Sequence, residues 1–280
     1  MEIIKNKRYD EERALYESCS LCLEGCAFQG EADGESALKE SRNIVTNNCL
    51  FDLRYPFWHC DGVEINDCEM TEKCRAPIWY TRGVRLNKCV VNGTKAVREC
   101  DGVFLDACRV VSSEFGWDTC NFKIENTYIE GEYMLSRAKN IALNNIKMKG
   151  KYSFQYIENG ELDGCTLDTK DAFWHAKNVT VRNSVINGEY LGWYSENLTL
   201  ENCVITGTQP FCYCRGLRLI GCEMHMCDLA FERSYVEAEI TTPVISIKNV
   251  LGGKITVPCV DEIICDGALY KGKIEIKEQL

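Results

Sequence analysis

Apolar and polar residues recur along most of this chain with a period of 19. The recurring phrase runs apolar, any, apolar, any, any, then Cys or another small residue, as in Val63-Glu-Ile-Asn-Asp-Cys68 and Leu198-Thr-Leu-Glu-Asn-Cys203. Its last position is held by Cys68, Cys89, Cys108, Thr127, Ile146, Cys165, Ser184, Cys203 and Cys222; the first step is 21 residues and the next seven are all 19. A fixed period near 20 with strand-like alternation predicts a solenoid, in which each repeat buries its apolar face only by stacking on its neighbours. One apolar column runs from Val63 through Val84 and Val103 to Leu217, and a second, two residues on, from Ile65 through Leu86 to Leu219. Period two places both on the inner face of one strand. The positions between them, such as Glu64, Arg85, Lys123 and Thr199, suit the outer face.

An Asn-rich corner follows (Asn66, Asn87, Asn126, Asn183, Asn202), where Asn tolerates left-handed backbone and bonds locally. A second short strand carries the Cys column and then Met70, Val91, Val110, Ile129 and their successors to Met224. After a Gly-rich corner, a third strand is predicted to carry an inward column of Phe57, Ile78, Val97, Trp117, Leu135, Phe154, Phe173, Gly192, Phe211 and Phe231. It ends in a small-residue column that includes Cys60, Thr81, Cys100, Cys120 and Ala138. Three short strands and three corners per coil make an all-β, single-stranded parallel β-helix. Crossovers between parallel strands favour the right hand, and the hexapeptide period of left-handed β-helices is absent.

One domain is expected over residues 1–280, with about 13 windings. Residues 1–18 are expected to cover the N-terminal edge. Regular coils span 19–235, and degenerate coils span 236–280, where Leu217, Val236, Ile255 and Ile274 keep the 19-residue step. The insertion Gly30–Glu40 falls in a longer coil and is expected to cap the first windings.

Composition narrows the function. The 280 residues are 45% apolar, enough for a large core. A net charge of −10 disfavours nucleic acid, anionic membranes and polyanionic polysaccharides as partners. No run of about 18 apolar residues predicts a membrane span. The stretch Met1–Glu17 lacks the apolar core of a secretion leader, so a reduced cytoplasmic setting is expected. Most of the 19 cysteines fall into repeat columns, which reads as small buried residues rather than disulfides.

Two outward columns flank the third strand. One reads Trp58, Trp79, Arg98, Asp118, Ser136, Gln155, Trp174, Trp193, Cys212 and Glu232. Its neighbour reads His59, Tyr80, Glu99, Thr119, Arg137, Tyr156, His175, Tyr194, Tyr213 and Arg233. Exposed aromatic patches mark binding surfaces. An oligosaccharide is the expected ligand, held by Trp58, His59, Trp79, Tyr80, Tyr156, Trp174, His175, Trp193, Tyr194 and Tyr213. The plainer alternative is that the rings lie flat as hydrophobic cover. Arg98, Glu99, Asp118 and Arg137 are the catalytic candidates, because glycosidic chemistry needs two carboxyl groups about 5–9.5 Å apart. The plainer alternative there is a surface salt-bridge ladder. His59 and His175 lie six coils apart and cannot share a site. The Cys and His spacings around Cys212, Cys214, Cys222, His225 and Cys227 match no ordinary zinc pattern, so no metal or cofactor is expected.

The coil pattern resembles the pectin-lyase-like right-handed β-helix superfamily. The phrases Ala32-Asp-Gly-Glu-Ser-Ala-Leu-Lys-Glu40, Leu53-Arg-Tyr-Pro-Phe-Trp-His59, Ala172-Phe-Trp-His175 and Gly207-Thr-Gln-Pro-Phe-Cys-Tyr-Cys214 are similar to an uncharacterised bacterial family of unknown function with that fold. The resemblance implies the fold and no reaction. Asp-Asp, His-Gly and Asp-x-His motifs of the superfamily's lyases, polygalacturonases and epimerases do not occur here. Two functions stay open: a saccharide-binding β-helix, with or without chemistry, or a non-catalytic scaffold that meets a protein partner along the stripe.

Overall fold

The computed structural model describes residues 1–266 and 273–278. The chain is an all-β parallel solenoid of about 14 turns with roughly 19 residues per coil. Among the described residues there is no α-helix and a single 3-10 turn, Glu72–Cys74. Two compact units, Met1–Ala142 and Leu143–Leu280, divide the coils.

In the first unit, six-residue strands Arg42–Asn47, Asp61–Asn66, Arg82–Asn87, Asp101–Asp106 and Cys120–Glu125 stack in parallel. Their register matches the sequence columns: Val63 pairs Val84, Val84 pairs Val103 and Val103 pairs Phe122. In the second unit Glu158–Asp163, Lys177–Arg182 and Glu196–Glu201 do the same, with Gly160 opposite Val179 and Val179 opposite Leu198. A shorter strand in each coil forms the second face. The third segment is a two-residue strand only at Phe57–Trp58, Ile78–Trp79 and Val97–Arg98. In the second unit it is a tight turn in which every other residue is left-handed, as at Phe173 (φ 60°) and His175 (φ 56°).

Left-handed residues fall in columns, and this explains much of the sequence. One column opens the long strand: Asn43, Gly62, Gly83, Gly102, Asn121 and Asn140 in the first unit, and Asn159, Asn178, Asn197 and Gly216 in the second. Ser20 opens the column, and these ten that follow are all Asn or Gly, the residues that enter this backbone region at least cost. The asparagines also bond from coil to coil: Asn140 Nδ2 donates to Asn121 Oδ1 at 3.1 Å, and Asn197 Nδ2 to Asn178 Oδ1 at 3.0 Å. A second column precedes the small-residue column and includes Asn48, Asp67 and Asn126, then Asn145, Asn183 and Asn202.

The small-residue column has a chemical reason beyond size. The backbone N–H of one coil's corner donates to the side chain of the next: Cys49 N to Cys68 Sγ (3.2 Å), Cys108 N to Thr127 Oγ1 (3.2 Å) and Cys165 N to Ser184 Oγ (3.0 Å). Cys, Ser and Thr therefore interchange because each offers a small acceptor to a buried N–H that would otherwise lack one. Phenylalanine fills the widest part of the core, with Phe28 stacked on Phe51 (4.9 Å between centroids) and Phe154 on Phe173 (4.8 Å). Each buried ring contributes about 1.5–3 kcal/mol of burial.

Two expectations are corrected. The third segment is one residue out of register at Trp117. Trp117 pairs with Arg98, so it belongs to the outward column, and Asp118 stands beside Glu99. Thr119, fully buried, takes the small position expected of Cys120, which instead opens the next strand. At the C-terminal end Val236 pairs Gly253, not Ile255, and Gly253 pairs Ile274. The steps are thus 17 and 21 residues, which sum to the same total as two steps of 19 and so hide in the sequence. Gly253 is required there, since a Cβ would lie 1.9 Å from the Val236 carbonyl oxygen. Within residues 1–18, expected to cover the N-terminal edge, Glu2–Lys5 pairs in register with Cys19–Glu24.

Gly207→Ala is expected to cost about 3 kcal/mol in equilibrium denaturation, because its Cβ would sit 2.2 Å from the Gly188 carbonyl oxygen. All 19 cysteines are free, and only Cys19, Cys259 and Cys265 are exposed. Thiol titration of the reduced native protein is expected to show those three reacting first, with the others following on unfolding.

Candidate functional site

The outward edge of the third segment is itself a left-handed column. In the first unit it holds His59, Tyr80, Glu99, Asp118 and Arg137, and in the second Tyr156, His175, Tyr194, Tyr213 and Arg233. Their φ angles run from 49° to 62°. The left-handed columns at the two ends of the long strand meet this backbone demand largely with Asn and Gly, whereas the inward column of the third segment meets it with Leu135, Phe154, Phe173, Phe211 and Phe231. The outward column likewise carries bulky side chains, at roughly 1–2 kcal/mol per residue of steric cost.

In the second unit the rings form two ladders. Tyr156, His175, Tyr194 and Tyr213 stack face to face, with centroids 4.8, 4.9 and 4.7 Å apart and interplanar angles of 9° or less. Trp174 and Trp193 stack beside them at 5.3 Å and 4°. Their indole N–H groups donate to the carbonyls of Tyr190 and Gln209, both at 2.7 Å. Because the coils set the spacing, ring faces cover one another and ring edges meet solvent. Tyr156 remains 51% exposed and Tyr194 41%.

In the first unit the rings are fewer and the charges denser. Trp58 stacks on Trp79 at 5.4 Å, and Lys39 Nζ lies 4.0 Å over the Trp58 ring. His59 meets Tyr80 edge-on at 5.1 Å and bonds Glu40 through Nδ1 at 3.2 Å. Trp117, which the motif reading placed in the core, lies between the guanidinium groups of Arg98 (5.7 Å) and Arg137 (5.2 Å). Its place was legible from the 19-residue step after Arg98, but two adjacent small residues, Thr119 and Cys120, offered a competing register.

The four catalytic candidates are brought together, each already committed. Arg137 grips Asp118 with two bonds of 2.7 Å, and the carboxylate raises the guanidinium further above its ordinary range. Arg98 Nε holds Glu99 Oε1 at 2.9 Å. Burial pushes the Glu99 carboxyl up, but hydrogen bonds from Tyr80 and Arg98 outweigh it and hold the group below the usual glutamate range. Tyr80, bonded to that carboxylate, is raised in turn. A glycosidic general acid needs the opposite shift. The arrangement is a pair of ion-paired carboxylates, suited to holding side chains in place. One Arg-x-Lys triplet, Arg137-Ala138-Lys139, adjoins it, but its arginine is spent on Asp118.

Comparison with known proteins adds the family and no reaction. Residues 2–277 match the family described as protein of unknown function (DUF3737), and the chain belongs to it. No curated protein is similar to it. Among solved structures it is similar to PfbA, a surface adhesin of Streptococcus pneumoniae, at 9% identity and TM-score 0.39 over 93% of this chain and 83% of that one. It is also similar to the periplasmic alginate epimerase AlgG, at 8% identity and TM-score 0.27 over 95% and 77% of the two chains. A third is tailspike protein 3 of bacteriophage CBA120, at 10% identity and TM-score 0.28, where the match covers 99% of this chain and 50% of that one.

Burial between its ring neighbours lowers the His175 pKa from 6.5. The unfolded chain takes the proton first as pH falls, so this contribution to stability is present above the ordinary histidine value and is lost as pH drops through it toward the depressed one. An NMR titration of His175 is expected to give a midpoint below 6.5 in the native protein and a higher one in Tyr194→Ala.

Proposed function

We propose that this member of the family is a non-catalytic recognition scaffold, and that the ring ladder of its second unit docks a protein partner. One observation carries the reading: Tyr156, His175, Tyr194 and Tyr213 stack in register along the outward column of the third segment. The inward rings of the same segment, such as Phe154 and Phe173, are buried in the core, whereas the outward ladder leaves Tyr156 and Tyr194 exposed. The stacking presents an apolar wall of ring edges tipped with hydroxyl groups, the composition of protein interfaces. Sugars, by contrast, favour open ring faces, and every tryptophan here has at least one face covered by a neighbouring ring or cation. Glu99 is held below the usual glutamate range and Asp118 is gripped by Arg137, an arrangement unlike that of a general acid.

A second reading, an oligosaccharide ligand, is favoured by one feature of the first unit. His59, Tyr80, Glu40 and Glu99 line a shallow polar cleft with Arg42, Arg82, Asp61 and Asp101. Alternating donors and carboxylates of this kind suit a hydroxyl-rich chain.

The two readings separate in one paired experiment. Tagged wild-type and Tyr156→Ser/Tyr194→Ser proteins, shown to be equally folded, are incubated with lysate, and intrinsic fluorescence is measured against a panel of neutral and acidic oligosaccharides. A protein partner retained by wild type and reduced at least tenfold by the double variant is expected, with no saturable response to sugars. A saturable sugar response that survives the double variant would move recognition to the first-unit cleft and overturn the ladder reading.

A further inference from the structure

The 21-residue step between Cys68 and Cys89 is where the regular coil is interrupted, and the interruption builds a cleft. The extra residues form the 3-10 turn Glu72–Cys74 and put Arg75 at its end with φ 57° and ψ −73°. That is a rare and costly backbone state for a residue with a Cβ. It is held from two sides. Lys95 N–H donates to the Arg75 carbonyl at 2.8 Å, and Gly93 allows this approach, since a Cβ there would lie 2.9 Å from the same oxygen.

The cleft beside this turn is lined by Tyr55, Arg75, Trp79, Thr94, Lys95 and Arg98, together with Ala76. Three cations line it and no carboxylate does, in a chain of net charge −10. Lys95 and Arg98 each touch Glu114 only at 3.5 Å, and Arg98 also holds Glu99. Arg75 is exposed and in no ion pair among the described residues. The indole nitrogen of Trp79 is shielded from solvent and helps hold the Glu99 carboxyl down, so Trp79 offers the cleft its ring.

We infer that this cleft binds a small ligand carrying an oxyanion, with Arg75, Lys95 and the Thr94 hydroxyl meeting the charged group and the Tyr55 and Trp79 rings meeting the body of the molecule. Guanidinium and ammonium donors in one concave site, with a ring wall beside them, match a carboxylate or phosphate on a compact ring. The site is separate from the ladder of the second unit and stands or falls without it.

Isothermal titration of the full chain at low salt with glucuronate, inorganic phosphate and glucose tests it. Saturable binding of at least one anion is expected, weakened by added salt, with none for glucose. Glucuronate alone would identify a carboxylate-bearing ligand, phosphate alone a phosphorylated one. Arg75→Gln is expected to weaken the anion at least tenfold while near-UV circular dichroism stays unchanged, and Tyr194→Ser to leave it as in wild type. Lys95→Gln provides the same test should Arg75→Gln not fold. Equal response to glucose and both anions, or wild-type anion binding in the folded charge variant, would overturn the inference.

Discussion

In-register parallel stacking is the constraint from which the rest of this molecule follows. Each coil's backbone donors and acceptors are met by the coils before and after it, as when Val63 pairs Val84 and Val84 pairs Val103. A residue's neighbours are therefore set by its position in the coil. Side chains of one column stand about 4.8 Å apart whether or not they attract one another. Like groups must then find ways to coexist: asparagines bond through their amides, phenylalanines and tyrosines stack, and charges alternate in sign.

This constraint acts differently inside and out. Within the core it rewards uniform columns, and Leu86 and Leu105 repeat almost unchanged from coil to coil. At the corners it demands left-handed backbone, and most of those positions answer with Asn or Gly. On the outer edge of the third segment the same demand is answered mainly by tyrosine and histidine in one unit, and in the other by His59 and Tyr80 followed by ion-paired Glu99, Asp118 and Arg137. The backbone geometry is shared while the surfaces differ.

The solenoid and its long strands were legible because burial leaves a period in the sequence. Val63, Val84 and Val103 are apolar for one reason, and 19 or 21 residues separate them. The slip at Trp117 arose where Thr119 and Cys120 could each close the coil, and only the pairing of Arg98 with Trp117 decides between them. The C-terminal slip arose because steps of 17 and 21 leave the apolar positions in phase after two coils. The columns of the stripe were also readable, with His59, Tyr80, Tyr156, His175 and Tyr194 all outward. Ring orientation was not. Whether Tyr194 shows a face or an edge depends on side-chain torsions that leave no trace in residue type. The cleft at Arg75 was also hidden, since its shape comes from an irregular turn rather than from a repeat.

The column of cysteines has a last consequence. Cys49, Cys68, Cys89 and Cys108 are sealed within the core of consecutive coils, each an acceptor or donor to its neighbours. The fold acts as a protecting group for its own thiols. In oxidising surroundings a transiently opened chain would find its sulfurs close together in sequence and free to couple, and a coupled pair cannot re-enter a column that requires separate thiols. Opening then becomes a ratchet, and the protein's lifetime outside a reducing medium is set by the rate at which its coils part.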